Sequence, residues 1–136
     1  MKLTTKSEYA LLALLFLARE FTRDAEDYHS VETIAAAQDI PAKYLEQLML
    51  TLKRARYVRS ARGQQGGYRL AKSPDTISVA EIIRLFDGAL APTESVSKYF
   101  YESTPVEKEA KLVNLFGEIR EWISFKLEST TLADMS

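Results

Sequence analysis

The sequence predicts a mainly α-helical chain with one small β-hairpin, in the order helix, turn, helix, basic hairpin, and a long helix toward the C-terminus. Three observations predict it. Apolar residues recur at helical spacing in PAKYLEQLMLTLKRAR and again in LVNLFGEIREWI, runs too long for ordinary strands. Between them, YVRSA and YRLA read as two short strands joined by the glycine-rich RGQQGG. From Lys43 to Lys72, eight cations (Lys43, Lys53, Arg54, Arg56, Arg59, Arg62, Arg69 and Lys72) meet a single acid, Glu46. That segment carries +7, leaving −8 for the remainder of a chain whose formal net charge is −1. Cations so concentrated mark a candidate nucleic-acid face that the overall pI near 5.9 conceals.

At the N-terminal end, Thr5-x-x-Glu8 reads as a capping box opening a helix that is apolar from Tyr9 to Ala18. The two early lysines and this apolar run resemble a signal peptide. However, Glu8 abuts the run, Arg19 and Glu20 close it, and no small-x-small cleavage site follows. It is also far short of the ~20 residues that a membrane span requires. The expected element is a buried helix of a cytoplasmic protein with no membrane partner. A polar link, FTRDAEDYH, follows without periodicity.

Ser30 is placed to cap a short helix, VETIAAAQ, whose three alanines would let another helix approach closely. Asp39-Ile40 breaks it, and Pro41 sits in the opening turn of the next helix, where a missing N–H costs nothing. That helix is expected to bury Leu45, Leu48, Met49 and Leu52. Its opposite face carries Lys43, Glu46, Gln47, Leu50 and Arg54. A short helix, a tight turn and a longer helix with polar residues near its start form a helix-turn-helix pattern. With the basic hairpin behind it, the order is that of a winged helix-turn-helix.

SPDTIS breaks the chain at Pro74, and SVAEIIRLFDG reads as a helix with Ser78 as cap, Glu81 three residues on and Gly88 past its end. Residues 89–104 are loop-like and hold the aromatics Tyr99, Phe100 and Tyr101, which either anchor the loop or line an effector pocket. Thr104-Pro105-x-Glu107 is expected to open a final helix running to about Leu127. Leu112, Leu115, Phe116, Ile119, Trp122 and Ile123 form its broad apolar stripe.

Composition bounds the function classes. With 136 residues and 46% hydrophobic content, the chain buries a core without metals or disulfides. It has no cysteine, which excludes disulfides, thiolate nucleophiles and cysteine-held clusters, and its one histidine, His29, has no histidine partner. RGQQGG lacks the G-K-[ST] of a phosphate-binding loop and joins strands rather than opening a helix. No enzyme, cofactor or metal site is expected.

KYLEQL, YVRSARG, GGYRLA, the N-terminal KLTTKSEYAL and the closing STTLADM closely resemble the Rrf-type winged helix-turn-helix transcriptional regulators (the IscR, NsrR and CymR family) over nearly the whole chain. The resemblance implies a homodimer on a roughly palindromic operator, with helix 41–56 in the major groove, wing 57–72 in the minor groove and the C-terminal helix crossing to the partner subunit. It divides the chain into a DNA-binding domain (1–88), a linker loop (89–104) and a dimerisation helix and tail (105–136). Lys43, Tyr44, Glu46 and Gln47 fall at recognition-helix positions, Arg62 and Gly63 at the wing arginine and its glycine, and Thr5 and Lys6 where the N-terminal turn approaches phosphate. Gly66, Gly67 and Tyr68 complete the wing motif, and the stripe from Leu112 to Ile123 becomes the dimer seam. Two departures stand out. The wing's usual proline-glycine is Gln64-Gln65, and the three cysteines of the cluster-binding members are absent, so cluster-based sensing is not implied.

Arg62 between small residues suits insertion into a narrow, negative minor groove, and the bland alternative is a solvated turn arginine. Gln47 is able to read adenine and Lys43 guanine, or either touches only phosphate. Arg54, Arg56, Arg59 and Arg69 read as phosphate contacts or solvated charge. The partners expected are double-stranded DNA, a second copy of the chain, and a small effector or protein carrying the signal. A winged-helix module that binds protein, with little DNA specificity, is the competing class, and a constitutive DNA-binding regulator without effector also fits.

Overall fold

In the computed structural model, which describes residues 1–136, five α-helices and one antiparallel hairpin follow in the predicted order, and a short sixth helix, not predicted, comes after them. They are α1 (Thr5–Arg23), α2 (Val31–Gln38), α3 (Ala42–Arg54), β1 (Val58–Ala61), β2 (Gly67–Leu70), α4 (Val79–Asp87), α5 (Ala110–Glu128) and α6 (Leu132–Met135). Single 3-10 turns stand at Pro74–Thr76, Glu94–Val96 and Pro105–Lys108. The fold is mainly α with a small hairpin, a winged helix-turn-helix.

The chain forms two compact units. One comprises residues 8–77 and 131–136, the other residues 1–7 and 78–130. In the first, α1 buries Ala10, Ala13, Leu14, Leu17 and Ala18, one face of a 3.6-residue period. α2 adds Ile34 and Ala35, and α3 adds Leu45, Leu48, Met49 and Leu52, the four positions expected from spacing. Val58 and Leu70 pair in the hairpin register and close the core from the wing side, with Ile77 and Leu132 also buried. Each such aliphatic side chain contributes about 1.5–3 kcal/mol by leaving water. Only Ala35 of the three alanines faces this core. Ala36 and Ala37 are exposed, so a short helix of this pitch presents one small residue inward rather than three.

Ser30 caps α2, accepting from the Thr33 N–H at 3.1 Å. α2 ends on Asp39, whose left-handed backbone (φ 54°) lets the Ile40 N–H return to the Ala35 carbonyl at 3.0 Å. Ile40 is buried, which locks the turn between the two helices.

In the second unit, α4 has the expected capping box: Glu81 N–H to Ser78 Oγ at 3.2 Å and Ser78 N–H to Glu81 Oε2 at 2.7 Å. Gly88 closes it at φ 81°, and Ala80, Ile82, Ile83, Leu90, Ala91 and Val96 form the core. Two caps differ from expectation. The Thr104–Glu107 box forms, but it opens the 3-10 turn Pro105–Lys108, and α5 starts afresh at Ala110. At α1, Thr4 rather than Thr5 caps, its Oγ1 accepting from the Ser7 N–H at 3.4 Å. Asp87 decides between the two threonines by accepting from Thr4 N–H (3.0 Å) and Thr4 Oγ1 (2.5 Å).

Burial of the Asp87 carboxyl works to raise its pKa, but the Thr4 hydrogen bonds outweigh it and hold the group below its ordinary value. A depressed carboxylate stabilises the fold above the unfolded pKa and loses that contribution as pH falls through the folded one. Asp87→Ala is therefore expected to cost about 1 kcal/mol at neutral pH, as loss of a capping interaction does. In urea titrations the gap from wild type should be full at pH 7 and narrow below about pH 4. A gap independent of pH would exclude the charged form as its source.

Candidate nucleic-acid interface

The face is built from α3 and the hairpin. Burying Leu45, Leu48, Met49 and Leu52 turns Lys43, Tyr44, Glu46, Gln47, Lys53 and Arg54 outward, all exposed. Tyr44 is steadied by an edge-on contact with Tyr9 of α1, ring centroids 5.5 Å apart. Beyond α3 the chain reverses at Arg56, whose φ of 68° is a left-handed conformation that costs a non-glycine residue roughly 1–2 kcal/mol. A groove of about 540 Å³ opens here, lined by Lys53, Arg56 and Arg59 together with Tyr28.

The wing is a four-residue ladder, Val58↔Leu70 to Ala61↔Gly67, with Arg62 exposed just past its end. Gly63 to Gly66 form the tip, closed by a Gly66 N–H to Gly63 carbonyl bond of 3.0 Å, so Gln64 and Gln65 project from a closed turn. Each glycine has its own reason. Gly63 sits at φ 96° in open space. A Cβ on Gly66 would lie 2.3 Å from the Ala61 carbonyl oxygen, and one on Gly67 (φ 136°) would lie 2.2 Å from that of His29. The last contact exists because His29 pairs with Tyr68 on the outer edge of β2, through His29 N–H to Tyr68 O (2.8 Å) and Tyr68 N–H to His29 O (2.7 Å). Tyr68 is half-buried, and burial together with the charge of Glu46 raises its phenol above the ordinary pKa.

Of the eight cations counted in the sequence, only Arg69 has an acidic partner. Its Nη1 donates to the Glu26 carboxylate (2.9 Å) and the Glu26 carbonyl (3.0 Å), and its guanidinium lies 4.6 Å from the centre of the Tyr28 ring. Among the eight, Arg69 is therefore the cation whose charge is already balanced by an acid. The other seven have no ion pair, although Lys72 lies over the Tyr57 ring at 4.8 Å. Thr5 and Lys6 are exposed in the first turn of α1.

The three loop aromatics take separate partners. Tyr99 lies beneath Arg84 (4.8 Å) and Lys98 (5.2 Å), Tyr101 donates to Glu107 (2.9 Å), and Phe100 lines a groove of about 440 Å³ with Asp87, Gly88 and Glu94. Along α5, Leu112 and Leu115 are exposed, Trp122 is 76% exposed, and Phe116, Ile119 and Ile123 are half-buried. Phe125, 72% exposed, extends this strip and was missed by the sequence reading, although it lies three residues beyond Trp122.

Comparison with known proteins agrees with this geometry. Residues 3–136 match the Rrf2 family, described as iron-dependent transcriptional regulators. The HTH-type transcriptional regulator CymR of Bacillus subtilis is 35% identical over 136 residues, covering 100% of this chain and 90% of the relative. The regulator NsrR of Geobacillus kaustophilus is 34% identical, covering 99% and 89%. Among solved structures, B. subtilis CymR, described as the global cysteine regulator, superposes with TM-score 0.77 at 33% identity, covering 99% of this chain and 95% of that one. T. potens IscR gives 0.74 at 35% identity, covering 99% and 85%. The iron of the family description does not suit the donors here. There is no cysteine, no three His, Asp or Glu side chains converge, and the one imidazole packs edge-on against Phe16 with its Nε2 3.8 Å from Glu20. No helix is long and apolar enough to cross a membrane. On this geometry and these relatives, the chain belongs to the Rrf2 family and is a DNA-binding transcriptional regulator, not an enzyme.

Proposed function

We propose that the protein is a homodimeric, cytoplasmic repressor that reads a roughly palindromic operator. Residues 41–56 enter the major groove and wing 57–72 the minor groove. The observation that carries this reading is the set of seven cations without an acidic partner along α3, the turn after it and the hairpin with its exit, where only Arg69 of the eight is ion-paired. Lys43, Tyr44, Glu46 and Gln47 would read bases or position the helix, Arg62 with Gly63 would enter the minor groove, and Arg54, Arg59, Thr5 and Lys6 would hold phosphate. Gly66, Gly67 and Tyr68 would shape the wing. Phosphate contacts make affinity fall steeply with salt, and dimer symmetry sets half-site spacing. The apolar strip of α5 supports self-association. The signal is then a small effector or a protein partner acting on the relative placement of two reading heads.

Selection of genomic fragments on the purified protein at physiological salt, beside Arg62→Ala, tests the reading. Enrichment of a few palindromic sites is expected, with specific affinity in the variant reduced by roughly 5- to 150-fold, as for loss of one good base-edge contact. Equal, sequence-blind enrichment by both proteins would overturn it in favour of a protein-binding wing.

A further inference from the structure

The wing stem is gripped on its far edge by a segment that looks like an unstructured link. β2 has β1 on one side, and on the other His29, which exchanges both backbone hydrogen bonds with Tyr68. One residue along, Arg69 reaches back over Tyr28 and takes both the carboxylate and the carbonyl of Glu26. The Arg69 side chain is only 17% exposed, whereas Glu26 is 86% exposed, so the arginine rather than the acid is the packed member. In the ladder Arg69 stands opposite Arg59. Two cations facing each other across a strand pair repel, and Glu26 neutralises one while leaving Arg59 free.

We infer that Arg69 is a positioning residue rather than a phosphate contact: through Glu26, Tyr28 and His29 it fixes the stem from which Arg62 reaches the minor groove, so that residues 26–29 set the wing's share of operator specificity. The inference rests on the wing reading above. Its physical basis is the short reach of the stem. Arg62 follows directly on β1, which is registered to β2, and β2 is registered to His29. A stem released from residues 26–29 pivots about α3 alone, and Arg62 then samples positions outside the groove, losing the benefit of preorganisation.

The test is a double-mutant cycle of Arg69→Ala and Arg62→Ala, measuring affinity for operator and scrambled DNA across a salt series. Glu26→Ala serves as an independent third variant. A positioning role predicts that Arg69→Ala lowers operator-over-scrambled preference by roughly 10-fold, keeps the salt slope, and makes a further Arg62→Ala change nearly silent. A phosphate contact would instead reduce the slope by about 0.9 and act additively with Arg62→Ala. Glu26→Ala separates the two by sign. It weakens operator preference if the clamp positions the wing, and strengthens binding of all DNA if a freed Arg69 reaches phosphate. Additivity, a reduced slope or uniformly tighter binding by Glu26→Ala overturns the inference. Arg62→Ala alone, if it leaves operator binding unchanged, overturns the wing reading on which the inference stands.

Discussion

Replacing Gly67 with alanine is expected to unseat the wing and lower the thermal midpoint of unfolding by roughly 6–15 °C, at about 3 °C for each kcal/mol in a chain of this size. The added methyl would lie 2.2 Å from the His29 carbonyl oxygen and 2.7 Å from the Ser30 nitrogen, both backbone atoms that no rotamer change can move. The residue also holds φ at 136°, outside the range an L side chain adopts without strain. Relief requires the hairpin to leave His29, breaking two backbone bonds of 2.7 and 2.8 Å. Strain and two hydrogen bonds together amount to about 2–5 kcal/mol. Gly63→Ala is the informative comparison. Its Cβ meets nothing within 4 Å, so only the φ of 96° penalises it, and the midpoint should fall by a smaller amount. Equal midpoints for the two variants would mean that His29 does not hold the wing.

The two glycines show where sequence reading stops. RGQQGG announced a turn, because glycine between two short apolar-alternating runs has few other uses. That Gly67 serves a contact with residue 29 rather than the turn itself depends on a pairing that no local pattern encodes. The α3 core was legible for the opposite reason. Four apolar residues at spacing three, one and three admit one buried face, and the structure buries those four. Ser78 and Glu81 were legible as a box because both partners lie within one turn. Thr4 was not, since Thr4 and Thr5 are equally competent caps, and the choice falls to Asp87, 83 positions away. The ion pair of Arg69 was not legible for the same reason, its acid lying 43 positions upstream in the link. Composition counts charges correctly but does not say which are already paired. Of the candidate site, the outward side of α3 and the wing tip were readable from spacing, while everything that holds the wing in place was tertiary.

The second large effect is expected on α5. Trp122→Ser combined with Phe125→Ser should convert the proposed dimer to a monomer in sedimentation at micromolar concentration, and weaken binding to a two-half-site operator by about 100-fold or more. Trp122 and Phe125 are 76% and 72% exposed, and Leu112 and Leu115 stand beside them on a helix that buries a single residue, Ser124. Large aromatic side chains at such exposure on one continuous strip are the signature of a surface made to be covered. In the proposed homodimer, a twofold-symmetric pair would cover it with the same strip of a second copy. Because both side chains make little contact within their own chain, removing them should leave monomer stability within about 0.5 kcal/mol, the range for surface substitutions. That separates loss of association from loss of folding in one denaturation curve. The size of the DNA effect follows from linkage of two reading heads. Once one half-site is occupied, the second binds as an intramolecular event at high effective concentration, and a monomer forfeits that gain without changing any contact to DNA. Half-site affinity should therefore be untouched. A variant that sediments as wild type does would move the seam elsewhere, and a monomeric wild type would mean that the operator is not read by symmetry at all.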